Sequence, residues 1–158
     1  MSQTQPVVAI VDDDVSIQRA LARLLSAAGW QAVTFPSAEA FLQTGMQASP
    51  DCLVLDVWLS GMTGVELLEH LAELGSTLPA VIITGRDDLQ MRMRAMQVGA
   101  AGYLLKPLDG EDLLEALQEA LQGRHLLEAH PCPHRQNQER YLRLNPRPAA
   151  AQPTPNPV

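Results

Sequence analysis

The fold is decided by residues 51–64, DCLVLDVWLSGMTG, in which four apolar residues are followed by a single carboxylate, Asp56. A short apolar run bounded by turn residues is typical of a strand that is buried on both faces, as in the middle of a parallel sheet. Asp56 then lies at the carboxyl end of this strand. In open parallel α/β sheets this edge faces the ligand-binding crevice, so Asp56 is the candidate reactive group.

Four further apolar segments follow the same pattern, and each is followed by a segment with apolar residues at helical spacing. The strands are predicted at residues 7–11, 31–35, 52–56, 80–83 and 101–105, and the last helix at residues 111–121. Alternating strands and helices require parallel pairing with helical crossovers. The sequence therefore predicts an α/β fold, a (βα)5 doubly wound parallel five-stranded sheet with the flavodoxin-like order 2-1-3-4-5.

Charged and hydroxyl side chains follow four of these strands. Asp12 and Asp13 follow the first, Asp56 ends the third, Thr84 follows the fourth and Lys106 follows the fifth. The first and third strands are neighbours at the point where the strand order reverses, so their three carboxylates converge in one crevice. Asp14 is better explained as the residue that begins the next helix.

Three carboxylates at close distance repel one another, which raises their pKa values unless a cation lies among them. Mg²⁺ is the natural cation, because it prefers hard oxygen ligands and binds through one or two carboxylates together with phosphate oxygens. Lys106 is the only lysine in the chain. Its compact ammonium group suits contact with a carboxylate or phosphoryl oxygen.

The 158 residues are enough for one domain and a tail, expected at residues 1–123 and 124–158. The domain has 16 Asp and Glu against 6 Lys and Arg, and such acidity disfavours contact with nucleic acid. The tail is expected to be largely disordered, because it becomes rich in Pro and Ala from residue 146. Without a signal peptide or an apolar run of membrane length, we expect a cytoplasmic protein that does not bind membranes.

Spread over five strand and helix units, the residues Asp12-Asp13, Asp56, Thr84 and Lys106-Pro107 resemble those of the receiver domain of bacterial two-component response regulators. The resemblance covers roughly residues 6–122. The local sequences VAIVDDD, GMTGVELL, VIITGRDD and AMQVGAAGYLLKP are most similar to receivers that precede a LuxR-type helix-turn-helix domain. Residues 135–147 resemble the connector to that output domain, but no helix-turn-helix pattern follows them.

The resemblance implies that Asp56 accepts a phosphoryl group from a histidine kinase or phosphotransfer protein. It also implies that Asp13 and Asp56 bind Mg²⁺ directly, Asp12 binds it largely through water, and the backbone carbonyl of Trp58 completes the protein ligands. Phosphoryl transfer mainly requires positioning and neutralisation of charge, which Mg²⁺ and Lys106 supply. No other cofactor is implied, and no enzymatic activity beyond self-phosphorylation and self-dephosphorylation at Asp56.

Thr84 and Tyr103 are the switch residues that the resemblance implies. Thr84 hydrogen-bonds the phosphoryl oxygen and moves its loop inward, and Tyr103 turns from exposed to buried. The added charge then changes a surface of the fourth helix, fifth strand and fifth helix, through which two copies pair. The resemblance also implies a cis peptide bond between Lys106 and Pro107. Judged without the resemblance, Thr84 is a turn residue and Tyr103 a half-buried strand aromatic.

The chain departs from the pattern of this subfamily near the phosphoacceptor. Trp58 is unusual two residues after Asp56, Ser60 stands where a proline is usual, and Arg86 lies two residues after Thr84. By the resemblance, positions 58 and 86 control how fast water removes the phosphoryl group. We expect the bulky Trp58, together with Arg86, to shield it.

Two smaller groups of residues carry weaker signals. Met91, Met93 and Met96 cannot share one helical face, so at least one of them is expected to be exposed. His125, His130, Cys132 and His134 are spaced irregularly among prolines, which is not a zinc-binding pattern.

Three functions remain open at this point. The first is a receiver that relays phosphoryl groups and acts through protein contacts. The second is a truncated transcription regulator that titrates a kinase or a full-length paralogue by dimerising. The third is a small Mg²⁺-dependent phosphatase with an aspartyl-phosphate intermediate, which is disfavoured because Asp56-Val57-Trp58 lacks the second aspartate that such a nucleophile needs.

Overall fold

The computed structural model describes residues 5–129, with side chains as far as residue 123. Strands and helices alternate along the described part of the chain. They are β1 (Val7–Val11), α1 (Val15–Ala27), β2 (Gln31–Phe35), α2 (Ala38–Thr44), a 3₁₀ turn (Gly45–Ala48), β3 (Cys52–Asp56), α3 (Gly64–Glu73), β4 (Ala80–Thr84), α4 (Leu89–Val98), β5 (Gly102–Leu105) and α5 (Gly110–Ala129). No helix of the described part is long and apolar enough to cross a membrane.

The five strands form one parallel sheet in the order β2-β1-β3-β4-β5, which confirms the predicted fold and strand order. All five residues of β3, the central strand, are buried, as its unbroken apolar sequence predicts. Alternate β3 side chains point to opposite faces of the sheet, where they enter two separate cores. Leu53 and Leu55 pack with α2 and α3, whereas Cys52 and Val54 pack with α1 and α5.

Short polar side chains begin four of the helices. The side chains of Asp14, Ser37, Thr63 and Asp88 each accept a hydrogen bond from a backbone N–H in the first turn of α1, α2, α3 and α4. The prediction that Asp14 is a helix cap is therefore confirmed. Of the three α4 methionines, Met93 is exposed while Met91 and Met96 pack against the core, as the spacing predicts.

The largest difference from prediction concerns α5, which begins at Gly110 and continues to Ala129 instead of ending at Leu121. Helix-breaking residues are scarce in this stretch: after Gly123 the next proline is Pro131, and most of the intervening residues favour helix. The predicted connector and disordered tail lie outside the described residues from residue 130 onward. The histidines and the cysteine considered as metal ligands fall beyond the described side chains.

Gly64, the first residue of α3, lies directly against the end of β3. Its N–H donates to the carbonyl of Val57 at 3.0 Å. A Cβ atom at position 64 would lie 2.1 Å from the backbone carbonyl oxygen of Asp56. Because that atom belongs to the central strand, neither partner is free to move aside, and only glycine allows α3 to begin at this position.

We expect Gly64→Ala to destabilise the protein by about 2–3 kcal/mol, because the added methyl group forces α3 away from β3. Urea unfolding followed by circular dichroism measures the effect. Gly110→Ala is the matched control, since its Cβ would meet the end of the flexible Leu24 side chain at 3.0 Å. Equal unfolding midpoints for the two variants would contradict the argument.

Candidate functional site

The strand register brings the predicted site residues to one edge of the sheet. Val11 of β1 is paired with Leu55 of β3, so Asp12 and Asp56 leave the sheet side by side. Thr84 ends β4, the strand on the other side of β3, and is paired with Leu105 of β5. Lys106 follows Leu105, and its N–H donates to the Thr84 carbonyl at 2.7 Å. Parallel pairing therefore places all four side chains at the same carboxyl edge.

Asp12, Asp13 and Asp56 form a carboxylate cluster at this edge. One carboxylate oxygen from each lies within 4.8 Å of those of the other two. Asp12 is fully buried and Asp56 is 5% exposed, whereas Asp13 is exposed to solvent. The cluster thus contains two desolvated carboxylates and one that remains open to water.

Lys106 contacts both buried carboxylates. Its Nζ lies 2.9 Å from Asp12 Oδ2 and 3.6 Å from Asp56 Oδ2. Burial opposes the charge of Lys106, but its hydrogen bond with Asp12 and the charge of Asp56 outweigh that effect and raise its pKa. Lys106 is therefore a charged partner of the carboxylates. The Lys106-Pro107 peptide bond is cis, in agreement with the resemblance.

The pKa of Asp56 is raised to about 6. Burial is the largest cause, followed by the charge of Asp12, and Asp13 adds to both. The charge of Lys106 and a hydrogen bond from the backbone N–H of Trp58 lower the pKa, without compensating fully. Asp56 is therefore ionised at neutral pH and is a stronger base than an ordinary aspartate.

Thr84 ends β4 at this edge of the sheet, and Tyr103 lies on the neighbouring strand β5, where it is paired with Ile82. The buried Thr84 hydroxyl donates to the Arg86 carbonyl at 2.9 Å and accepts from the Arg86 N–H at 3.1 Å. The resemblance implies two positions for the Tyr103 ring, one exposed and one buried. Tyr103 is 1% exposed, so its ring occupies the buried position. The guanidinium group of Arg92 lies 5.3 Å from the centre of that ring.

Trp58 and Arg86, predicted as residues that tune the lifetime of a phosphoryl group, contact each other. The guanidinium carbon of Arg86 lies 4.7 Å from the centre of the Trp58 ring, within the range of a cation–π interaction. The Trp58 indole N–H also donates to the Arg86 carbonyl at 3.3 Å. The two side chains therefore connect the loop after β3 with the loop after β4.

An apolar cleft of about 260 Å³ borders the site on the α1 side. Ile17, Leu21 and Leu24 of α1 line one wall, and Lys106, Pro107 and Leu108 line the other. Lys106 thus belongs both to the carboxylate cluster and to the cleft beside it.

Sequence reasoning did not single out Gly64 or Arg92. The partners of Arg92, Asp87 and Tyr103, lie 5 and 11 residues away from it, and no periodic pattern connects them. Gly64 carries no distinguishing signal either, because sequence alone does not reveal how closely a backbone carbonyl approaches it.

The fold and the site together define a doubly wound α/β domain with an acidic, lysine-flanked cluster where the strand order reverses. The family model described as "Response regulator receiver domain" matches residues 8–118. Nodulation protein W of Bradyrhizobium diazoefficiens is 40% identical over 119 residues, which are 75% of this chain and 52% of that protein.

Two solved structures are similar in fold. The crystal structure of FixJ-N has a TM-score of 0.70 and 34% sequence identity, and the match covers 76% of this chain and 96% of that one. The beryllofluoride-activated NtrC4 receiver domain, solved as a dimer, has a TM-score of 0.70 and 25% identity, with 75% and 98% covered.

The chain therefore belongs to the response regulator receiver domain family of two-component systems. Its relatives include LuxR-like regulators of the FixJ and TodT type. It spans about half the length of the curated relatives it matches. Receiver domains typically bind Mg²⁺ at an acidic pocket and interact with histidine kinases or phosphotransfer proteins.

In metal-free protein at pH 8, we expect Asp56→Asn to raise the free energy of unfolding by about 1–2 kcal/mol, because it removes a buried charge beside Asp12. The raised pKa of Asp56 sets the sign. As the pH falls through about 6, folded wild-type protein takes up the proton while the unfolded chain is still ionised, so wild type gains stability. The advantage of the variant therefore shrinks at pH 5.

Urea unfolding in EDTA at pH 8 and pH 5 measures this effect. Asp13→Asn is the control, since Asp13 is exposed and its substitution gives a smaller gain. An Asp56→Asn variant that is no more stable than wild type at pH 8 would contradict the interpretation.

Proposed function

We propose that Asp56 accepts a phosphoryl group from a histidine kinase or phosphotransfer protein in the presence of Mg²⁺, and that the phosphoryl group alters a protein-binding surface. The observation that carries the proposal is the Asp56 carboxylate, which lies within an acidic cluster and 3.6 Å from the Lys106 ammonium group. A raised pKa of about 6 leaves Asp56 ionised at pH 7 and therefore nucleophilic.

The donor set fits Mg²⁺, because three carboxylates offer hard oxygen ligands within 4.8 Å of one another. Asp13 and Asp56 are the proposed direct ligands, together with the Trp58 carbonyl. Asp12 is the proposed water-mediated ligand, since its Oδ1 already accepts from the Asp14 N–H and its Oδ2 from Lys106. When bound, Mg²⁺ neutralises charge on the carboxylates and on the transferring phosphoryl group.

The transfer needs few protein groups. A carboxylate oxygen of Asp56 forms a bond to phosphorus as the bond from phosphorus to the donor nitrogen breaks, and that nitrogen keeps the electron pair. Lys106 is placed to stabilise the negative charge of the new acyl phosphate. The Thr84 hydroxyl, now bonded within its own loop, would exchange those hydrogen bonds for one to a phosphoryl oxygen.

The apolar cleft beside Lys106 supports the approach of a protein donor from the α1 side. Exposed charge is sparse along its walls, which are formed by Ile17, Leu21, Leu24, Pro107 and Leu108. An apolar surface next to a charged site suits a donor that has to exclude water while the phosphoryl group moves.

The proposed output surface includes α4, which packs on the other face of the sheet from α1. Leu89 and Met93 of α4 are 63% and 45% exposed, and Leu105 of β5 is 42% exposed. Exposed large apolar side chains on adjacent elements are typical of protein contacts. Pairing of two copies is supported by the NtrC4 receiver domain, which was solved as a dimer, and α4, β5 and α5 form the surface that we propose for it here.

That surface also keeps the second function open, a regulator that titrates a kinase or a paralogue by dimerising. Size-exclusion chromatography with light scattering, before and after phosphorylation, separates a monomeric relay from such a dimer. The phosphatase alternative has less support, because no second aspartate follows Asp56 at the next position but one. Beyond self-phosphorylation and self-dephosphorylation at Asp56, we propose no enzymatic activity.

We expect acetyl phosphate with Mg²⁺ to add one phosphoryl group to the protein, detected by intact mass spectrometry. Asp56→Asn should abolish the adduct and EDTA should prevent it. Asp51→Asn is the control, because Asp51 lies at the opposite end of β3, where it accepts from the Val7 N–H. An adduct that persists in Asp56→Asn would exclude Asp56 as the phosphoacceptor, and hydrolysis of unrelated phosphate esters would favour the phosphatase.

Contact between Trp58 and Arg86 supports the proposal that these two residues shield the acyl phosphate. Trp58 follows the phosphoacceptor by two residues, and its ring is covered by Arg86. In this proposal, the indole and the guanidinium group together obstruct the approach of water to Asp56. Slow self-dephosphorylation is the expected consequence.

We expect Trp58→Asn to speed loss of the phosphoryl group by about tenfold, equivalent to roughly 1.4 kcal/mol in the barrier. The decay of the phosphorylated mass after removal of acetyl phosphate gives the rate. Trp58→Phe is the matched control, since it keeps an aromatic ring over which Arg86 stacks. Decay of Trp58→Asn at the wild-type rate would rule out shielding.

A further inference from the structure

Few apolar contacts hold α4. Within this helix, all of which is described, Ala95 is the only buried residue. Met91, Met96 and Val98 pack partly against the core, whereas Leu89 and Met93 face solvent. A helix with so little buried surface depends more than its neighbours on specific polar contacts for its position.

Arg92 makes such contacts from the buried side of α4. Its side chain is only 15% exposed, and arginine is rarely buried unless it is paired. Its Nη2 lies 2.9 Å from Asp87 Oδ2, and its guanidinium group covers the Tyr103 ring at 5.3 Å. One side chain of α4 thus contacts both the loop after β4 and Tyr103 on β5.

The positions of these contacts matter for coupling between the loop after β4 and Tyr103. Asp87 follows Thr84 by three residues in the same loop, so movement of that loop also moves the partner of Arg92. Tyr103 is paired with Ile82 of β4, and its side chain, on which Arg92 packs, is buried from solvent. A planar guanidinium group suits this place, because it forms an ion pair at its edge while its face stacks on an aromatic ring.

We propose that Arg92 is a positioning residue that keeps Tyr103 in its buried position and transmits movement of the Thr84 loop to it. The first part, that Arg92 keeps Tyr103 buried, depends only on the contacts of Arg92 with Asp87 and Tyr103. The second part rests on the proposed phosphorylation of Asp56.

Arg94 provides a matched comparison on the same helix. It pairs with Glu69 of α3 through two hydrogen bonds, one of them 3.3 Å long. Within the described part of the chain, Arg94 does not stack on an aromatic ring. Loss of Arg94 therefore loosens α4 from α3 without removing a contact to Tyr103. A variant at this position separates general loosening of the helix from a specific effect on the ring.

Fluorine NMR of protein labelled with 3-fluorotyrosine tests the proposal. The chain has two tyrosines, Tyr103 and Tyr141, and Tyr103→Phe assigns the two signals. Broadening by a neutral gadolinium chelate reports exposure of the Tyr103 ring. Without phosphorylation, we expect Arg92→Ala to increase the exposed population about two- to fivefold, as loss of a cation–π contact predicts.

Arg92→Lys should fall between Arg92→Ala and wild type, because an ammonium group keeps the charge but not the planar stacking. It also keeps the test valid if Arg92→Ala does not fold, as judged by circular dichroism. Arg94→Ala should leave the Tyr103 signal at its wild-type exposure. An unchanged signal in both Arg92 variants, or an equal change in Arg94→Ala, would overturn the proposal.

A second set of spectra, recorded after treatment with acetyl phosphate and Mg²⁺, tests the transmission. Intact mass measured on the same samples shows whether Asp56 carries the phosphoryl group. With the adduct present, the exposure of the Tyr103 ring should change further in wild-type protein. In Arg92→Ala, this change should be at most half as large as in wild type. An adduct with the full change in Arg92→Ala refutes transmission, whereas no adduct in wild type refutes the proposed function and leaves the unphosphorylated comparison decisive for Arg92.

Discussion

The repulsion between Asp12 and Asp56 is the constraint on which the site depends. The register of β1 against β3 places these two buried carboxylates side by side. Burial is the largest cause of the raised Asp56 pKa of about 6, the charge of Asp12 adds to it, and Lys106 offsets only part of the two effects. The negative charge of the cluster is therefore only partly neutralised, so the cluster responds to an added cation or to a change of charge on Asp56.

The two faces of the sheet are built differently around this cluster. On the α1 and α5 face, apolar residues at regular spacing, including Leu25 and Leu117, fill a continuous core. On the other face, Ala95 is the only buried residue of α4. Arg94 connects this helix to α3, and Arg92 connects it to the loop after β4 and to β5. Electrostatic change at the site is thus expected to move α4 more readily than α1 or α5.

Near Asp56, two departures from the family pattern have a shared structural basis. Trp58 and Arg86 lie on different loops, 28 residues apart in sequence, and yet contact each other through a stacked ring and a backbone hydrogen bond. A small residue at position 58 would leave Arg86 without that ring. The two residues therefore form a linked pair that joins the loop after β3 to the loop after β4.

The sequence by itself determined the strands, their order and the identity of the strand-end residues, because unbroken apolar runs, turn residues and alternation with helices are local signals. It also indicated the carboxylate cluster, since parallel pairing in the order 2-1-3-4-5 leaves few other arrangements for Asp12, Asp13 and Asp56. Only the tertiary structure decided that Gly64 contacts the carbonyl of Asp56, that Trp58 and Arg86 stack, and that Arg92 covers Tyr103. These contacts join residues of different elements, and their distances depend on how helices pack on the sheet, which no local pattern encodes.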